Sequence, residues 1–341
     1  MNWEEIVGHA DIIAGLRALV AGEKVPHALL FAGPAGIGKA AVARMLAGAL
    51  LCSGSGEKPC GVCPDCRRWL TGSHPDLVTV SPAGATLKID RIRDLKREAA
   101  LAPVVTNGRR VFIIEDSERL TVQAANSFLK LLEEPPAGVV FILLAAGRQL
   151  LLPTIVSRCQ VVDFPPLPAG VLTAALTARG FEPARAALAA RLSSGRMGTA
   201  LALLQPDGLE VRDRAAAVIG DLATGGLTAA LTTAKLWGEM GRPVVTTVLN
   251  QLLYLFRDML VVAHTPDGSL LYNPDLAAEL TDWGRAWDEP RLTAAIQAVD
   301  ESWRALNANA NVRLTGEALL LKLCYLAGRD NHHANGGGGA F

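Results

Sequence analysis

The run GPAGIGKAAVARML, Gly33 to Leu46, constrains this chain more than any other stretch. It follows the apolar segment HALLFAG and opens a helical pattern, so Gly33, Gly36, Gly38 and Lys39 read as a phosphate-binding loop between a strand and a helix. In that setting backbone N–H groups and the helix N-terminus converge on phosphate oxygens, and the lysine adds a point charge. One position departs from the pattern. Ala40 stands where a Ser or Thr hydroxyl holds magnesium in hydrolysing enzymes.

A strand-loop-helix of this kind needs further parallel strands beside it. From residue 1 to about 166 the sequence alternates short β-rich runs with helical patterns, which predicts an α/β domain: a five-stranded parallel sheet with helices on both faces. The candidate strands are HALLFAG, DLVTVSP, RVFIIED, GVVFILLAAG and CQVVDF. Helices are expected at Lys39 to Leu51, Ile89 to Leu101 and Thr121 to Glu133, the last closed by Pro135 because the residue before a proline avoids the α region. After FPPLPAG the β signal ends and Ala/Leu-rich helical patterns follow. QPDG near Pro206 marks a boundary, giving a small helical domain at 167–204, a larger one at 208–329 and a flexible Gly-rich tail at 330–341 that holds His332 and His333.

The strand RVFII ends in Glu115-Asp116, whereas an active ATPase usually has Asp first and Glu second. The reversal lengthens the metal ligand by a methylene and shortens the would-be base. Together with Ala40 it predicts that ATP and Mg2+ are held weakly or statically, without turnover, because misplacement by about an ångström costs on the order of a hundredfold in rate.

Basic and acidic residues balance at 33 each, so net charge points to no nucleic-acid or membrane partner. No unbroken apolar run reaches membrane-spanning length, the start MNWEEIVGHA lacks a signal-peptide core, and a cytoplasmic protein is expected. Four of the six cysteines, Cys52, Cys60, Cys63 and Cys66, fall within fifteen residues on a loop rich in Gly and Pro. In a reducing compartment that clustering points to a closed structural Zn2+ site, with an iron–sulfur cluster as the alternative. Cys159 and Cys324 stand apart as isolated thiols.

These elements in this order resemble bacterial clamp-loader subunits of the AAA+ class, the delta prime branch more than its gamma/tau motor paralogue. IVGH, HALLFAGPAGIGK, CGVCPDC, AANSFLKLLEEPP, SRC and NANVRLTGEALLLKL carry the resemblance, which spans nearly the whole chain. Motors of this family carry a polar sensor residue where this chain has Ala145 and Ala146, and a sensor arginine where GRMGTAL places Gly198, with Arg196 two positions earlier.

The resemblance implies a subunit of the DNA polymerase III assembly, whose activity is DNA-directed DNA polymerisation, working in a five-subunit ring with gamma/tau motors and a delta subunit. The ring loads the sliding clamp on primer–template DNA. Within it, Arg158 of SRC is expected to act in trans on a neighbour's ATP, 167–204 to form a lid, and 208–329 to form the oligomerising collar. Leu314, Ala318, Leu321 and Tyr325 lie at helical spacing there, as a ring surface or as domain core. Lys88, Arg91, Arg93, Lys96 and Arg97 form a basic stretch that reads as a DNA-phosphate contact or as a solvated helix face. The other functional class is a working AAA+ ATPase, either the gamma/tau motor or a helicase-loading relative, in keeping with the intact Gly33, Gly38 and Lys39.

Overall fold

The computed structural model describes residues 2–327 except 83, 85, 105–107, 225, 266–267 and 286; the expected tail, with His332 and His333, lies outside the described residues. The chain forms two compact units, one of residues 2–180 with 193–201, the other of 181–192 with the described residues from 202 onward.

The first unit is built on five strands, β1 (Ala28–Ala32), β2 (Leu77–Val80), β3 (Arg110–Ile114), β4 (Val139–Ala145) and β5 (Gln160–Asp163), in the order β2-β3-β4-β1-β5. Every pairing is parallel. The three central strands are buried along their whole length, which is why they read as unbroken apolar runs rather than alternating ones. Its helices are α1 (Ala10–Ala21), α2 (Lys39–Leu51), α3 (Pro64–Leu70), α4 (Ile89–Ala99), α5 (Val122–Glu133), α6 (Pro153–Val156) and α7 (Ala169–Ala178). Leu30, Phe112 and Phe141 share one buried cluster with Ile92 and Leu95 of α4 and Phe128 of α5. Side chains alternate along a strand, so Leu29, Ile113 and Ile142 face the other side, where α2 packs on β3 and β4.

The expected strands and helices form with small shifts at their ends. Thr121 is the N-cap of α5, its hydroxyl accepting from the Ala124 N–H at 3.2 Å. The helix expected to reach Leu101 stops at Ala99, and Leu101 is 61% exposed. The edge strand β2 is tied down by a buried charge pair: Asp76, with no exposed surface, accepts from Arg110 Nε at 3.1 Å and Nη2 at 2.9 Å.

The second unit is helical. It comprises α8 (Pro183–Leu192), α10 (Glu210–Thr224), α11 (Gly226–Glu239), α12 (Arg242–His264), α13 (Ala277–Gly284), α14 (Glu289–Asn307) and α15 (Val312–Leu326), while α9 (Met197–Leu203) begins in the first unit. Phe256, Trp237, Trp287 and Leu323 anchor its core. One sequence expectation is corrected here: α12 is long and apolar enough to cross a membrane by length and composition. In this unit it is a core helix, with Val245, Leu249, Leu252 and Phe256 buried. The spaced run on α15 is not core. Leu314 is 64% and Tyr325 69% exposed, while Leu319, Leu320 and Leu323 of the same helix are buried.

Candidate nucleotide and metal sites

Because β1 is buried on both faces, the chain leaves the sheet between its neighbours, and the loop that follows is confined. Gly33 donates its N–H to the Ala145 carbonyl at 3.1 Å, and a Cβ there would lie 2.5 Å from the Phe164 carbonyl oxygen, so only glycine fits. Gly38 is the N-cap of α2 at φ 117°, a conformation L side chains rarely adopt, and Lys39 opens the helix. Lys39 Nζ donates to the carbonyls of Gly33 and Pro34, the latter at 2.9 Å. Burial pushes its ammonium below the usual range, opposed by the carboxylates of Glu118 and Asp116.

The loop borders a cavity of about 550 Å³ that also reaches Ala40, Glu115, Asp116, Arg179 and Gly198. A volume of this order suits a nucleotide-sized ligand. Sequence reasoning brought the loop, the acidic pair and Gly198 to one place, and the structure gathers them there. Glu115 accepts from Ser81 Oγ at 2.7 Å and faces Arg44 at 3.8 Å. Asp116 takes a left-handed conformation, φ 46° and ψ 50°, at the start of the next turn.

Among the cavity residues that were missed, two are Glu118 and Arg179. Glu118 accepts from the Ala146 N–H at 3.2 Å, tying the turn after β3 to the end of β4. Arg179 follows α7 and lines the cavity as a second cation. The only signal for Glu118 was its place two residues beyond the acidic pair; Arg179 had none, because it lies far from every motif.

At the start of α9, the Gly198 N–H donates to the Gly36 carbonyl at 2.7 Å, and a Cβ on Gly198 would lie 3.2 Å from both Gly36 Cα and O. A Cβ at this position requires Gly36 to give by a few tenths of an ångström. Arg196 Nε instead donates to the Ser193 carbonyl at 2.9 Å.

Cys52 is the C-cap of α2 and Cys63 the N-cap of α3, so the phosphate-loop helix runs directly into the cysteine loop. The four sulfurs lie within 4.8 Å of one another, with Cys52–Cys63 and Cys60–Cys66 both at 3.9 Å. A tetrahedral centre with zinc–sulfur bonds of about 2.3 Å has edges of roughly 3.8 Å, so the four thiols fit that metal. Backbone N–H groups of Cys60, Cys63 and Cys66 point at the sulfurs of Cys52, Cys60 and Cys63 at 3.3 to 3.4 Å. Such donors stabilise thiolates. Burial opposes ionisation of Cys63, but the Cys66 N–H and Ser53 outweigh it and the thiol falls to about 5.

Arg158 follows α6, its guanidinium 34% exposed. Nη2 pairs with Glu133 Oε1 at 2.6 Å and Nη1 donates to the Thr154 carbonyl at 2.9 Å. It is therefore remote in sequence from the loop residues and stands outside their cavity lining. The basic stretch of α4 is largely matched on its own surface: Arg91 with Glu98 at 3.0 Å, Arg93 with Asp90 at 3.0 Å, and Arg97 with Asp94. Its field at a DNA phosphate is correspondingly weakened, which favours the solvated-face reading.

Comparison with known proteins finds the following similarities. The family model described as DNA polymerase III, delta subunit, matches residues 8–168. A DNA polymerase III subunit delta' of Bacillus subtilis is 30% identical over 311 residues, 88% of this chain and 92% of its own length. A tau subunit of the same organism is 35% identical over 164 residues, 48% of this chain and 29% of its own. A solved DNA polymerase III gamma subunit-related protein of Thermotoga maritima aligns with 92% of this chain and 99% of its own, at 18% identity and a TM-score of 0.44.

Proposed function

The chain belongs to the DNA polymerase III delta prime family, and from that premise we propose that it is the non-hydrolysing stator of a clamp-loader ring. In this reading it joins gamma/tau motors and a delta subunit in the cytoplasm, takes 208–329 as its collar and 167–204 as its lid, and supplies Arg158 to a neighbouring ATP site while the ring places the sliding clamp on primer–template DNA. Its own loop holds nucleotide statically or serves only as shape, and Zn2+ on the four cysteines is structural.

The observation that carries the reading is the pairing of Gly198 with Gly36. Where a hydrolysing relative needs an arginine aimed at phosphate, this chain has a glycine with no side chain to aim, its N–H 2.7 Å from the Gly36 carbonyl. Ala40 removes the magnesium hydroxyl on the same loop, and the reversed Glu115-Asp116 misplaces the remaining ligands. An arginine supplied in trans is worth about 10³–10⁵ in rate at a phosphoryl-transfer site, so a subunit without turnover still shapes the chemistry of its neighbour.

The test is the ATPase rate of the purified chain, alone and reconstituted with gamma/tau and delta. Background turnover by the isolated chain and a motor-dependent rate in the ring support the stator. Robust turnover by the chain alone, abolished by Lys39→Ala, makes it a motor instead.

A further inference from the structure

We infer that the cysteine loop, acting through Trp3, sets one wall of the nucleotide-sized cavity, so that metal in the cysteine site controls the shape of that cavity. The inference deepens the metal and nucleotide readings above and rests on them.

The wall is the segment Glu5-Ile6-Val7, which lines the cavity together with Lys39 and the loop. Beyond the short turn Trp3–Glu5 the segment has no helix or strand conformation of its own. It hangs between two anchors. At the far end Gly8 sits against the Leu167 side chain and His9 Nε2 lies 3.3 Å from the Ile37 carbonyl. At the near end the anchor is Trp3, only 4% exposed, whose Nε1 donates to the Lys58 carbonyl at 2.9 Å across 55 residues of sequence. Trp3 and Glu5 belong to one capped turn. Asn2 and Glu5 close a capping box around the short 3-10 turn Trp3–Glu5, with the Glu5 N–H on Asn2 Oδ1 at 3.0 Å and the Asn2 N–H on Glu5 Oε1 at 3.1 Å.

Lys58 in turn belongs to a stretch with no helix or strand of its own, between Cys52 at the end of α2 and Cys63 at the start of α3, two residues before Cys60. The position of its carbonyl is therefore set by the four sulfurs on either side. The neighbouring pair of Arg17 with Glu57, at 2.5 Å, is solvent-exposed on both sides and adds little once screened. The part-buried indole hydrogen bond is the better shielded link. Loops of this kind are ordered by their metal, so loss of the metal frees Lys58, then Trp3, then the wall. Trp3 is a positioning residue for the cavity.

The full chain is first assayed for zinc by elemental analysis. Hydrogen exchange read by mass spectrometry then compares the wild type, the same protein stripped with a chelator, and Trp3→Phe, which keeps a buried ring but has no N–H to donate. Binding of mant-ADP is measured on all three. Stripping is expected to deprotect 53–62 and Glu5–Val7 together while β3 and β4 keep their protection. Trp3→Phe is expected to retain its zinc yet speed exchange at Glu5–Val7 roughly two- to tenfold, the factor that one net hydrogen bond is worth. Each change weakens mant-ADP binding, and stripping Trp3→Phe adds little to either alone. Unchanged protection of Glu5–Val7 in both zinc-stripped and Trp3→Phe protein overturns the inference. If mant-ADP does not bind the intact chain, the nucleotide reading fails and the exchange result still decides this one; a chain with no metal overturns both the metal reading and the inference.

Discussion

Arg158 and Glu133, 25 residues apart in sequence, meet at 2.6 Å between Nη2 and Oε1, so the arginine of SRC is held by the last residue of α5 in LLEEPP. The two motifs form one device. In a ring, a phosphate from a neighbouring site would compete with Glu133 for the same guanidinium, and the exposed pair is weak enough to let it go.

Arg158→Ala is accordingly expected to change the stability of the chain by no more than about 1 kcal/mol, the range of an exposed ion pair. In the reconstituted ring it should lower ATPase partially, since only the site facing this chain loses its arginine, and lower clamp loading further. Arg158→Lys should rescue poorly because an ammonium cannot reproduce the bidentate fork. Wild-type ATPase and loading in an assembled Arg158→Ala ring would return the residue to a surface charge.

Elemental analysis should find one zinc per chain, and Cys63→Ala should lose it. Structural zinc contributes roughly 10–16 kcal/mol to the folding of small modules, so the loop from 52 to 66 should melt while the sheet stays folded. Limited proteolysis checks this: cleavage confined to the loop is the expected pattern, and iron in place of zinc would change the assignment.

The exposed face of α15 should be a ring contact. Leu314 and Tyr325 lie outside the core, so Leu314→Asp with Tyr325→Asp should leave the melting temperature close to wild type and abolish or sharply weaken assembly with gamma/tau, read by size-exclusion chromatography. A doubly substituted chain that assembles at full affinity would place the contact elsewhere, as would a chain ending near residue 205 that still joins the ring.

Asp76→Ala should destabilise the sheet itself. It leaves the Arg110 guanidinium, 6% exposed, without its carboxylate between β2 and β3. Removing one partner of a buried pair typically costs about 3–5 kcal/mol. Urea unfolding should show the midpoint falling with an unchanged slope; a loss under about 1 kcal/mol would mean that water reaches the site and solvates the arginine.

The sequence by itself determined the elements whose physics is local. A strand buried on both faces has to be apolar throughout, so β1, β3 and β4 were legible as runs, and the glycines of the loop were legible because backbone at positive φ, or pressed against Phe164, admits little else. The cysteines announced themselves by clustering along a short loop. What only the tertiary structure decided is what depends on contacts between distant segments. Helical spacing put Leu314, Ala318, Leu321 and Tyr325 on one face but could not say whether that face meets core or solvent, since both give the same periodicity. Glu118 reaches Ala146 because the parallel sheet sends the ends of β3 and β4 to one edge, Glu133 and Arg158 meet at the other edge, ahead of β4 and β5, and Gly198 closes on Gly36 and Trp3 reaches Lys58 across long stretches of sequence. Parallel strands need crossovers of a dozen residues or more. Residues that share a site are therefore far apart along the chain, and no local pattern records their meeting.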